Sequence, residues 1–309
     1  MGEYAGAPGG LTQVRVFLGK GGVGKTTCAA ATALGLAEAG ASTLLISTDP
    51  TPSLSHIFEL EGHQQERDVA PQLRVSELGL EDVRRMWDEQ FGREVYAVFS
   101  AFVDIPYGTF VEFMTSVLPG LNEEFMVDHI RRLALQRTHR HVVWDTAPLG
   151  QTLALLAMPS LLAEHLRMAP RVYSHLRTSG EGRESIMDVL RRWSALAGQC
   201  MEFLAREVRF SLVVIPEALA VRQVDGVLEE LARHGLGVDR VIVNNVIMTR
   251  DSEFLARKAD EQRVQLEALR ARFAGLPLVE VPLFPHEIRG MARLREIAAA
   301  LGRGAEASG

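Results

Sequence analysis

Apolar and polar positions along the chain follow two alternating rhythms. Short, nearly unbroken apolar runs recur at 13–18 (QVRVFL), 42–50 (STLLISTDP), 141–145 (HVVWD), 210–216 (FSLVVIP), 238–247 (VDRVIVNNVI) and 277–283 (PLVEVPL). Their length and β-branched content predict strands buried on both faces of a parallel sheet. Longer stretches of helix formers lie between them, rich in Ala and Leu at 25–39 and recurring at 221–234 and 252–273. Such alternation predicts an α/β fold, a doubly wound and mostly parallel sheet with helices on both faces.

Two stretches break the rhythm. Residues 80–140 and 152–207 are helical in pattern, with Met86, Met114, Met126, Met158, Met168, Met187 and Met201 scattered through them. They predict a helical subdomain inserted into a single domain spanning 1–309, with GEGR at 180–183 as a loop inside it. Residues 1–12 and 303–309 have tail-like composition and are expected to be disordered. The chain contains no internal repeat.

Charge and cysteine content narrow the function classes. Lys and Arg total 33 against 39 Asp and Glu, a net charge of −6. A dedicated nucleic-acid binder carries a basic excess, so no nucleic-acid partner is expected. No apolar run reaches the roughly 18–20 residues of a membrane span, and MGEYAGAPGG lacks the plan of a signal peptide. The expected location is the cytoplasm. Only Cys28 and Cys200 are present, which excludes a disulfide framework and a zinc site of the CxxC type.

The chemistry is concentrated after the first strand. GKGGVGKT (Gly19, Lys20, Gly21, Gly22, Val23, Gly24, Lys25, Thr26) fits the phosphate-loop pattern GxxxxGK[ST], followed by Thr27. Glycines let backbone N–H groups turn toward phosphates, and the next helix presents its positive N-terminus. Lys25 is expected at the β/γ-phosphates of ATP and the Thr26 hydroxyl on Mg²⁺. The preceding strand and following helix form the βαβ setting this motif requires. Asp145 ends a buried strand, where a carboxylate reaches Mg²⁺ directly or through water. Asp49 ends the neighbouring strand, where it is expected to orient the attacking water.

Lys20 is surplus to a loop that only cradles phosphate. KGGxGKT[ST] resembles the deviant Walker A loop of the P-loop ATPases that include ParA, MinD, the nitrogenase iron protein and ArsA. That resemblance implies a homodimer in which Lys20 reaches phosphates held by the other subunit, a cation supplied only on closure. STDPTPSLSHIF looks like switch I, and DTAPLGQT (145–152) like switch II, of the family of ArsA and the tail-anchored-protein-targeting (guided entry) ATPase. The family usually shows DTAPTGHT, so Leu149 and Gln151 depart from it. VIVNNV (241–246) resembles the segment whose Asn holds adenine, which assigns that role to Asn244. VPLFPHEIRG (281–290), with Pro282 and Phe284, resembles the loop that covers the base.

The resemblance implies a Mg-dependent ATPase acting as a nucleotide-gated homodimer. Its expected partner is a hydrophobic client such as a tail-anchor helix, or a membrane protein that it drives. FVEFMTSVLPGLNEEF (110–125) and LALLAMPSLLAEHLRM (153–168) are the candidate client surfaces. An arsenite-efflux ATPase is the alternative, but As(III) wants clustered thiolates and two separated cysteines do not supply them. The zinc clasp of the targeting enzyme is missing too, since DSEFLARKADEQ (251–262) has no cysteine. The alternative of another class is a ParA- or MinD-like positioning protein on DNA or membrane. EIRGMARLREIAAALGR (287–303) has the basic amphipathic character for peripheral membrane contact.

Overall fold

The protein is described by a computed structural model covering residues 11–48, 53–61, 66–100, 104–117, 121–146 and 186–306. Among these residues one eight-stranded sheet dominates. It comprises β1 (Gln13–Leu18), β2 (Thr43–Ser47), β3 (Glu66–Ala70), β4 (Leu73–Glu77), β5 (His141–Asp145), β6 (Val208–Val214), β7 (Arg240–Val246) and β8 (Leu278–Pro282). The order across the sheet is β3-β4-β2-β5-β1-β6-β7-β8. All neighbours run parallel except the edge pair β3–β4. The chain is the doubly wound α/β type that its apolar runs predict. The sheet reverses its winding at β1, and the carboxyl ends around such a switch point form the ligand crevice of open α/β sheets.

Helix α1 (Lys25–Glu38) follows β1, and α2 (Leu54–Ile57) follows β2. The elements between β4 and β5 are α3 (Leu80–Trp87), a π-turn (Asp88–Gly92), α4 (Arg93–Phe99), α5 (Tyr107–Val117) and α6 (Leu121–Gln136). Then come α7 (Ile186–Arg206), α8 (Ala218–Arg233), α9 (Glu253–Arg272) and α10 (Gly290–Glu306). Alanines 29, 30, 31, 33 and 37 let α1 lie close on Phe17, Val143 and Val213 of the sheet, and Leu294, Ile297, Ala300 and Leu301 of α10 complete the same core.

Contacts divide the chain into two compact units. One comprises Met1–Gly79, Arg132–Pro148 and Glu207–Gly309; the other comprises Leu80–Arg131 and Leu149–Arg206. The first holds the sheet. The described elements of the second are all helical. Its core takes in Trp87, Phe110, Val111, Met114, Phe125 and Met126, all buried.

Several expectations are corrected. Strands β3 and β4 did not stand out because charged and polar residues interrupt both: ERDVA opens with three charges in a row, and LRVSE carries Arg74, Ser76 and Glu77. Arg74 is bound to Asp68 on the edge pair. Residue 12 is not tail: the Thr12 hydroxyl donates to the His139 carbonyl at 2.8 Å and the residue is buried. The last helix runs to Glu306, past position 303. Its apolar face is packed into the core beside α1, which removes the free amphipathic face that a MinD-like membrane contact needs. Among the described residues no helix is long and apolar enough to cross a membrane.

Candidate functional site

The phosphate loop leaves β1 at a residue that must be glycine. Gly19 sits at φ +148°, and a side chain there would collide with the Val213 carbonyl of β6. Gly24, at φ +90°, is the N-cap of α1, and a methyl group on it would strike Asn244 Nδ2. Among the described residues no side chain caps α1, and no acid lies in its first turn. Its N-terminal N–H groups are thus left for an anion, which the helix dipole also favours.

The two loop lysines are disposed differently. Lys25 Nζ donates to the Lys20 carbonyl at 3.1 Å, closing across the loop. The Lys20 side chain is exposed and has no ion-pair partner among the described residues. Gly21 and Gly22 are exposed beside it, Val23 is buried under the loop, and Thr26 and Thr27 lie half-buried on the first turn of α1.

Asp145 ends β5 between the ends of β1 and β2, opposite Phe17 and Ser47. It is buried, and Ser47 Oγ donates to its Oδ2 at 3.3 Å. Its charge is felt at Cys28, two residues past Thr26. Burial foremost, with that charge adding and Arg240 opposing, pushes the Cys28 thiol up to about 12. Cys28 is therefore a protonated core residue and Cys200 is buried likewise. Among the described residues no group of three His, Cys, Asp or Glu is placed to hold a metal.

Asn244, from β7, comes to the loop from beneath. Its Nδ2 donates to the Val23 carbonyl at 2.9 Å, and the side chain is buried. Pro282 ends β8 opposite Val246. Phe284 lies two residues on, half-buried against the core with its ring 5.7 Å from that of His286. The structure thus brings together residues 19–27, Asp145 and Asn244. Asp49 lies outside the described residues, as do 147–152 of the second switch and the 153–168 candidate surface.

One residue of this neighbourhood escaped the sequence reading. Glu77, at the end of β4, accepts from the Leu54 N–H at 2.8 Å, the Ser55 N–H at 3.3 Å and the Ser55 hydroxyl. It anchors the turn into α2 immediately after the segment that holds Asp49. The available signal was weak: an acid in the final position of a short segment, without the apolar run that singled out Asp145.

Residues 12–303 match the family described as anion-transporting ATPases. The chain belongs to this family. The anion-transporting ATPase profile thus covers both units rather than the phosphate loop alone. Among similar proteins is a putative arsenical pump-driving ATPase 2 of Aquifex aeolicus, 27% identical over 296 residues, 92% of this chain and 97% of the relative. A putative arsenical pump-driving ATPase of Chlorobaculum tepidum is 27% identical over 304 residues, 93% and 74% of the two chains. The ATPase GET3 of Chaetomium globosum is 26% identical over 295 residues, 89% and 86% respectively. The sheet order and phosphate loop are those of a P-loop ATPase, and this family member is an ATP hydrolase.

Proposed function

We propose that the chain works as a nucleotide-gated homodimer whose hydrolysis of ATP controls the binding and release of a hydrophobic client. The observation that carries the proposal is the contrast between the two lysines. Lys25 is turned in to the loop, whereas Lys20 is exposed and unpaired among the described residues. A cation held out in this way serves phosphate chemistry when a second subunit brings its own nucleotide against it. In this reading Lys25 and the N–H groups of residues 19–27 hold the phosphates, Asp49 orients water and Asn244 contacts adenine under Pro282 and Phe284. Thr26 and Asp145 are the hard oxygen donors that suit Mg²⁺, which when bound neutralises charge on the phosphates.

The client reading is favoured over arsenite by the state of the thiols. As(III) binds sulfur as thiolate, yet Cys28 is buried and holds its proton to about 12. On α5, Phe113 is 47% exposed while its neighbours Phe110 and Met114 are core, so the 110–125 segment offers an apolar contact point.

Lys20→Ala is expected to keep ATP affinity within about threefold but to lower turnover at least about tenfold. Full turnover in that variant defeats the trans-lysine reading. Light scattering in Mg-ATP should give twice the mass of one chain, and a persistent monomer defeats the dimer. Arsenite is expected to leave steady-state hydrolysis unchanged, with saturable stimulation reinstating the pump reading. A soluble protein carrying an apolar helical tail should be captured in an ATP-dependent manner, and no capture rejects the client.

A further inference from the structure

The end of β7 is irregular in a way that bears on the nucleotide site. Val243 pairs with Glu280 of β8, but the next partners are Val246 and Pro282. Three steps along β7 are thus matched by two along β8, which is a β-bulge with one extra residue. Asn245 takes up the excess in a left-handed conformation, at φ +59°. Asn244, just before it, is the residue whose amide reaches the Val23 carbonyl.

A bulge leaves backbone groups without their ladder partners, and such groups cost free energy when shielded from water. Here one side chain satisfies both sides of the bulge. Gln262 of α9 donates from Nε2 to the Asn245 carbonyl at 3.0 Å, and its Oε1 accepts from the Ile247 N–H at 2.8 Å. The primary amide imitates the peptide group of a missing neighbouring strand. Leu283 N–H bonds the remaining carbonyl, that of Val246, at 2.8 Å. Only an amide offers a donor and an acceptor at this spacing. A carboxylate offers two acceptors and a thioether no donor.

We infer that Gln262 is a positioning residue for the nucleotide site. By fixing the backbone from Asn245 to Ile247 it holds Asn244 against Val23 and beside Gly24, and so sets the floor of the phosphate loop. The inference rests on the reading of residues 19–27 as the ATP site. It adds a residue of α9 that never meets the nucleotide.

The test pairs kinetics with a direct view of Asn244. The chain has three asparagines, at 122, 244 and 245, so selective ¹⁵N labelling and an Asn244→Ala control identify the buried side-chain amide without ambiguity. In Gln262→Met, of similar length but without hydrogen bonds, that amide signal should move toward the position of exposed amides before any nucleotide is added. The KM for ATP should rise about tenfold with kcat within about twofold, because loss of positioning weakens binding in ground and transition states alike. Gln262→Glu, which keeps the bond to Ile247 N–H alone, should fall between. Adding Gln262→Met to Asn244→Ala should change KM no further, since one acts through the other. An unmoved signal, or additive effects in the double variant, overturns the inference. A raised KM in Asn244→Ala with none in Gln262→Met removes Gln262 alone. An unchanged KM in Asn244→Ala removes the role of Asn244 in the site, and that of Gln262 with it. A merely destabilised Gln262→Met would lower the unfolding midpoint and leave the signal and the KM in place, which also counts against positioning.

Discussion

At the scale of single residues the site depends on close approach. Gly24 and Asn244 leave no volume between them, and Gly24 also holds a backbone angle that side chains avoid. Gly24→Ala should therefore lose about 1–2 kcal/mol from the backbone alone, with more from the displaced Asn244, read as a lower urea midpoint. Nucleotide binding should weaken in parallel. A different residue sets acid sensitivity. Burial, with Arg15 and Arg140 adding, lowers the His141 imidazole to about 4, and its buried Nδ1 has no hydrogen-bond partner among the described residues. An unfolded chain takes up a proton near 6.5, and the folded chain does so only near 4. Stability is thus intact above 6.5 and declines as pH falls through that window. Replacing His141 by Gln should shrink the fall in urea midpoint between pH 7 and pH 4.5.

At the scale of elements, legibility followed burial. β2 and β5 are buried at every position, and β1, β6 and β7 at most of theirs, so their apolar runs were readable. The edge strand β8 was readable from the apolar residues on either side of Glu280. β4 was not. Its pattern LRVSE sends Arg74 to Asp68 of the edge strand and ends in Glu77, so only Leu73 and Val75 are apolar and no apolar run marks the strand. The phosphate loop and Asp145 were legible for the opposite reason, as local motifs whose spacing is dictated by phosphate geometry. Glu77 and Gln262 were hidden, because each acts on backbone groups that only the folded register brings near. Helix propensity gives a further check. Gly226 lies exposed within α8, and added volume there meets nothing. Gly226→Ala should raise stability by about 0.5–1 kcal/mol, visible as a higher melting temperature with unchanged ATPase rate.

At the scale of the whole molecule, the site is assembled from distant parts of the chain. Ligand binding to it should stabilise the folded sheet unit by mass action, about 2.7 kcal/mol at roughly 100 times the Kd of Mg-ATP. Trp144, fully buried in β5, reports that shift by fluorescence once Trp87 and Trp193 are changed to Phe. A smaller rise in its unfolding midpoint for Lys25→Ala than for the unaltered chain would tie the gain to the loop. The sheet order carries a consequence of another kind. β1 is flanked not by β2 but by β5 and β6. A nascent chain that has delivered β1, α1 and β2 to solvent still lacks the strands that join them. At ordinary synthesis rates of about 5–20 residues per second, roughly 10–40 s separate emergence of β1 from emergence of β6. Until β5 arrives, about 6–25 s after β1 at those rates, an apolar strand and its alanine-rich helix wait on the ribosome unpaired, and the ATP site, completed by β6 and β7, is among the last features of this protein to be born.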